Sequence, residues 1–227
     1  MGKARIIIEG VYLIGGPDVS RSDDATSFVI NFGGELVMID AGAGGSSRIL
    51  QKNIEDVGLD PGKISTLILT HNHIDHIGSA SYFRMHFGCK IVMHELDADA
   101  VEEGDSMRTA ASCYGTTFSP TSVDRKLKGD QEILQFGTEE LRCLHTPGHT
   151  PGSISIYLDR AEKRILFGQD IHGPFLDIFR SDIGQWKKSM EKLLSLEADI
   201  LCEGHFGIFQ TKEEVERYIK RYLKNYS

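Results

Sequence analysis

His71-Asn72-His73-Ile74-Asp75-His76 follows directly on an apolar, β-branched stretch at 64–70. Side chains two residues apart point the same way in an extended chain but about 200° apart on a helix. His71 and His73 therefore suit one metal ion if the chain is still extended as it leaves a strand. Asp75 and His76 come after the chain begins to turn and can face a second position. Imidazole and carboxylate donors are those expected for zinc, with iron or manganese as alternatives.

Working outward, three more metal-capable residues stand just past apolar segments. His149 lies in His145-Thr146-Pro147-Gly148-His149, Asp170 follows Ile165-Leu166-Phe167-Gly168-Gln169, and His205 follows Ile200-Leu201-Cys202-Glu203-Gly204. Ligands commonly sit beyond strand ends, where a rigid sheet positions a loop. Four strand ends converging on one cleft account for the pattern. His86, His94 and His145 fit no such pattern and read as structural.

The remaining chain alternates short strands and helices. Strands are expected at 5–9, 11–14, 27–32 and 35–40, the last two joined by Gly33-Gly34, a two-residue hairpin signal. Helices are expected at 46–57, 78–87 and 95–103, with a short strand at 90–93. Residues 105–124 are small, polar and turn-forming and read as a long loop, a candidate lid. Strands return at 132–136, 140–145, 153–158, 164–167 and 199–202. A helix is expected at 181–195 and a last one after the capping pair Thr211 and Glu214. Each half is thus a mostly β layer with helices outside it, which suggests helix–sheet–sheet–helix layers.

Taken together, Asp40 in Ile39-Asp40-Ala41-Gly42, the His71–His76 run, His149, Asp170 and His205 resemble the five motifs of the metallo-β-lactamase fold superfamily of metallo-hydrolases. The resemblance implies an α/β fold, a four-layer αβ/βα sandwich of two mixed β-sheets flanked by helices. It implies one domain over 1–227, with halves near 1–125 and 126–227. It also implies a ligand set: His71, His73, His149 and Asp170 for one metal, and Asp75, His76, His205 and the bridging Asp170 for the other. Asp40 would orient a ligand rather than bind metal. The cofactor expected is two Zn2+ per chain, with Fe or Mn at either position as the alternative. The chemistry implied is a hydroxide shared by two cations, attacking an ester-type bond (carboxylic ester, lactone, thioester or phosphoester) of a small molecule. Asp75, Asp170 and His172 are the residues expected nearest the reacting atoms. Tyr114, Phe118, Phe175 and Phe179 are candidate apolar walls of a substrate pocket.

Composition narrows the choice. The 227 residues carry 25 Lys and Arg against 33 Asp and Glu, a net charge of −8. That disfavours a nucleic-acid partner, because such affinity rests on cationic surface. Ile6, Ile7 and Ile8 are interrupted by Glu9, too short for a signal-peptide core, and no apolar run is long enough to cross a bilayer. Four dispersed cysteines (Cys89, Cys113, Cys143, Cys202) read as reduced thiols, so a cytoplasmic protein with no membrane partner is expected. A homodimer is compatible with the sequence.

No G-x-S-x-G elbow or Walker A motif occurs. The glyoxalase II branch resembles the ligand set but carries a C-terminal helical extension for which this chain has little length. The nearest rival within the superfamily is a mononuclear iron persulfide dioxygenase, with His71, His149 and Asp170 as a facial triad. A nuclease is the rival of another class.

Overall fold

A computed structural model of the chain describes residues 2–226. Its contacts divide it into two compact units, with the boundary between Leu127 and Lys128. Each is built around one mixed β-sheet with helices on it.

In the first unit, β1 (Arg5–Ile8), β2 (Val11–Gly15), β3 (Ser27–Phe32) and β4 (Glu35–Ile39) form an antiparallel meander. Phe32 pairs with Glu35 across Gly33-Gly34, whose φ values of 70° and 107° only glycine adopts without strain. Helix α1 (Ser47–Asp56) then crosses to β5 (Ile64–Ile68), which joins β4 in parallel. The short turn α2 (Ile74–Ile77) and α3 (Ala80–Phe87) lead to β6 (Lys90–His94), and α4 (Glu95–Glu103) leads on to β7 (Arg125–Leu127), both added in parallel. Gly88 and Gly104 end α3 and α4 in the left-handed conformation, as helix C-termini favour. Leu50 and Ile54 of α1 and Phe83 of α3 are buried with Val29, Leu36, Met38, Leu67 and Ile91 in one core. Each such fully buried side chain stabilises the fold by about 1.5–3 kcal/mol.

In the second unit, β8 (Gln131–Phe136), β9 (Glu139–His145), β10 (Ile154–Arg160) and β11 (Lys163–Gln169) run antiparallel. Helix α5 (Ile183–Leu194) crosses to β12 (Ile200–Glu203), parallel to β11, and β13 (Ile208–Phe209) closes the edge. Helix α6 (Lys212–Asn225) follows. The two helices are capped by Asp182, accepting from Gln185 N, and by Thr211, accepting from Glu214 N. Trp186, Met190 and Leu193 of α5 pack with Val215, Tyr218 and Ile219 of α6 and with Leu144, Leu166 and Leu201 of the sheet.

Two mixed sheets flanked by helices are the fold class expected from sequence. Several short elements were not anticipated. Strand β7 and strand β13 are too brief to show alternation, and β7 reads Arg-Lys-Leu. Turn α2 is a single turn whose sequence looked like extended chain giving way to a bend. Among the described residues no helix is long and apolar enough to cross a membrane.

Candidate metal centre

The first unit presents four of the expected ligands at the end of β5. The chain bends at Thr70, His71 and Asn72 instead of staying extended, is extended at His73 (φ −75°, ψ 143°), and then enters α2, which carries Asp75 and His76. All four side chains are buried, at 0–4% exposure. The rings of His71 and His73 lie 4.7 Å apart and those of His71 and His76 4.1 Å apart. His76 Nε2 is 3.8 Å from Asp75 Oδ2.

This segment is clamped from two sides. Asp40, fully buried at the end of β4, accepts from Thr70 N at 2.8 Å and Thr70 Oγ1 at 2.7 Å. Its Oδ2 also lies 2.7 Å from His76 Nδ1. Asp40 holds a left-handed φ of 55°, an uncommon conformation for a non-glycine residue and one that clusters at functional sites. The turn after it grips α2 directly: Ala41 N donates to His76 O at 2.6 Å, and Gly78 N to Gly42 O at 2.7 Å. A Cβ on Gly78 would fall 2.2 Å from the Ala43 carbonyl carbon, so only glycine permits this approach. From the other side, Ile74 N donates to Thr109 O at 2.7 Å. The 105–124 loop is therefore anchored beneath the histidine run through buried Thr109, Ala110 and Ala111, and its exposed stretch is 112–117.

Asp40→Asn tests the clamp. Asparagine tolerates the left-handed backbone but offers an NH2 to His76 Nδ1, which forces the proton onto Nε2. Metal affinity should fall about 10–100-fold, as for other residues that orient a ligating histidine. A competition titration against a chelator measures it, and unchanged affinity would show that Asp40 does not orient a ligand.

The second unit presents the other three. Asp170 follows β11, after a register shift and a left-handed Gln169 (φ 43°). Its two oxygens face different imidazoles: Oδ2 lies 3.5 Å from His149 Nε2, and Oδ1 3.2 Å from His205 Nε2. His149 Nδ1 bonds to Pro174 O at 2.8 Å, which turns Nε2 toward Asp170. Gly148 lies against α5 so closely that a Cβ would meet Trp186 Cβ at 2.3 Å. Trp186 Nε1 in turn donates to Ile171 O at 2.7 Å, tying the loop after Asp170 to the same helix.

The expected flanking residues divide. His172 bonds through Nδ1 to Glu203 Oε1 at 2.6 Å, a buried carboxyl that sequence reading passed over. Phe179 is buried with its ring 6.0 Å from that of His149. Phe118 packs in the core of the first unit, and Phe175, partly buried, lies against Trp186 and Tyr226 at the edge of the core of the second. Tyr114 is exposed. Asp24 is a second missed residue: buried, it accepts from Ser20 Oγ at 2.5 Å, Ala43 N at 2.7 Å and Ser46 Oγ at 2.9 Å, bracing the turn after Asp40. No motif marks a carboxylate that only braces backbone.

The remaining histidines have local partners: His86 Nδ1 with Tyr82 O, His145 Nε2 with Pro151 O, and His94 Nδ1 with Leu96 N. No disulfide joins the four cysteines. Burial pushes the Cys89 thiol up to about 11 and raises that of Cys202, which keeps both inert near neutral pH.

The sequence profile of the metallo-β-lactamase superfamily matches residues 22–205. The hydroxyacylglutathione hydrolase GloC of Haemophilus influenzae is 33% identical over 184 residues, covering 77% of this chain and 82% of that protein. The probable metallo-hydrolase YqgX of Bacillus subtilis is 30% identical over 169 residues, covering 71% and 76%. Among solved structures, a metallo-β-lactamase from Cronobacter sakazakii aligns with a TM-score of 0.84 at 18% identity, covering 100% of this chain and 96% of that one. GOB-18, a metallo-β-lactamase from Elizabethkingia meningoseptica, aligns at 0.80 and 22%, covering 99% and 89%. These structural likenesses speak to the fold, and the sequence matches to the lineage: the chain belongs to the metallo-β-lactamase superfamily of metallo-hydrolases.

Proposed function

We propose that the chain is a dinuclear, zinc-dependent hydrolase of an ester-type bond in a small molecule, with an acyl thioester as the first substrate class to assay. In this reading His71, His73, His149 and Asp170 would hold one ion, and Asp75, His76 and His205, with Asp170 shared, would hold the other. The observation that carries the reading is Asp170, whose two oxygens address two different histidines, the disposition a bridging carboxylate needs. The donors fit the group: imidazole nitrogens and carboxylates, with no thiolate among them, suit a borderline divalent ion.

Two such ions, when bound, supply a water deprotonated near neutral pH and positive charge for a developing oxyanion. The chain's own part is to hold the donors. Asp40 orients His76, the Pro174 carbonyl orients His149, and Asp170 stands between His149 and His205. The thioester is supported by the similarity to the Haemophilus hydroxyacylglutathione hydrolase over most of both chains. A net charge of −8 argues for a small-molecule substrate over a polyanion. Cysteines without disulfides fit a reducing cytoplasm.

Elemental analysis of protein expressed without added metal, followed by an ester, lactone, thioester and phosphoester panel under nitrogen, tests this. About two zinc ions per chain with anaerobic hydrolysis are expected. One iron per chain with oxygen uptake on a persulfide would overturn it in favour of an iron dioxygenase on His71, His149 and Asp170.

A further inference from the structure

We infer that Glu203 is a positioning residue that presets His205 as a metal donor by clamping the backbone of its loop and the ring of His172 in one buried carboxyl. The inference rests on the two-ion reading above, in which His205 belongs to the second donor set.

Glu203 ends β12 and is fully buried. Its Oε2 accepts from the backbone N–H of His205 at 2.7 Å and of Phe206 at 2.8 Å. Its own N–H donates to Gly207 O at 3.1 Å, closing a tight loop that Gly207 completes at φ 104°. The other oxygen, Oε1, engages His172 Nδ1 at 2.6 Å. The His172 ring stands 5.5 Å from that of His205 at 83°, and 4.7 Å from that of Phe206. One carboxyl thus joins the segment that follows Asp170 to the loop that carries His205. Tyr218 packs beside it, and burial together with Glu203 raises the pKa of its hydroxyl, which stays neutral.

The need for such a clamp follows from how the other histidines are held. His76 and His149 are oriented through their ring Nδ1, on Asp40 and on the Pro174 carbonyl. His205 is the most exposed of the candidate ligands, with 24% of its side chain accessible against 4% or less for His149 and His76. It rides on a loop between β12 and the two-residue strand β13. Its ring reaches 3.2 Å from Asp170 Oδ1 only while that loop keeps its shape. A residue that merely stabilised the unit would serve all donors equally. A clamp on the His205 backbone acts first on the second ion, to which His205 would be a donor.

The test is a cobalt(II) titration of the metal-free full chain, followed by the visible absorbance of the bound ion, for the wild type, Glu203→Ala and Glu203→Gln, with far-UV circular dichroism on each. Wild type is expected to take two equivalents. Glu203→Ala should bind the first with unchanged affinity and the second about 10–100-fold more weakly, the range for residues that orient ligands. Glu203→Gln keeps an amide oxygen for both backbone N–H groups, so its loss should be partial, about three- to tenfold, and again confined to the second equivalent. The inference is overturned if Glu203→Ala binds both equivalents as tightly as wild type, or loses both together. Should Glu203→Ala fail to fold, Glu203→Gln decides, and an unweakened second equivalent overturns the inference. A wild type that takes only one equivalent overturns the two-ion reading itself, and this inference with it.

Discussion

Asp170→Ala is expected to abolish hydrolysis and to strip the protein of at least one metal ion. The carboxylate stands between His149 and His205, one oxygen toward each. Alanine removes a donor from both proposed sets at once, and the remaining imidazoles cannot be redrawn to share an ion through a methyl group. A fall in kcat/KM of at least about four orders of magnitude is expected, or about 5.5 kcal/mol of transition-state stabilisation. The fold should survive, because the change removes a buried, nearly inaccessible carboxylate rather than packing. The apo forms should therefore melt together. The difference should appear on adding zinc: ligand at about 100 times its Kd stabilises by about 2.7 kcal/mol. In a chain of this size that raises Tm by roughly 5–10 °C. Wild type should show the rise, and Asp170→Ala should lose most of it. Two metals and ordinary turnover in the variant would refute the shared-carboxylate mechanism.

Gly204→Ala should reproduce much of that loss without replacing any donor. A Cβ at Gly204 would stand 2.3 Å from Asp170 Oδ1 and 3.2 Å from the Gln169 carbonyl carbon. Such a contact is not sustained, so the Asp170 side chain must rotate away. Gly204 does not adopt a positive φ, so alanine adds no backbone strain there. Overpacking of this kind costs about 1–3 kcal/mol of stability. The larger consequence is positional. A displacement of about 1 Å at a reacting centre costs about 100-fold in rate, and here the displaced group is the donor proposed to bridge. Activity is expected to fall by about 100- to 1000-fold, with the circular dichroism spectrum unchanged. Wild-type metal affinity in Gly204→Ala would mean that Asp170 does not occupy the bridging role.

The legible parts of this chain and the hidden ones differ in kind. The His71–His76 run could be read directly as a dense cluster of metal-capable donors, but not which way each points, because the chain bends at 70–72 where alternation assumed an extended segment. His149, Asp170 and His205 were legible only as residues just past apolar segments, a positional signal that works because β9, β11 and β12 are continuous enough to recognise. Helices α5 and α6 announced themselves through apolar spacing and through their caps. Strands β7 and β13 did not, since three and two residues carry no period.

Glu203 and Asp24 were invisible for a different reason. A buried carboxyl that receives backbone N–H groups looks, in sequence, like any surface acid; its meaning lies in which amides it meets. Likewise Phe118 and Phe175 could be written as pocket walls or as core, and burial in the first unit's core or packing against Trp186 is a property of neighbours. By itself, then, the sequence carried the motifs that resemble the family, and its local period and spacing determined the order of the longer strands and helices and the residue types able to hold metal. Only the tertiary structure decided which oxygen of Asp170 faces which histidine, that Gly204 and Gly78 have no room for a methyl group, and that His172 answers to Glu203. Those are distances between chain segments far apart in sequence, and they are set by how the strand ends are brought together.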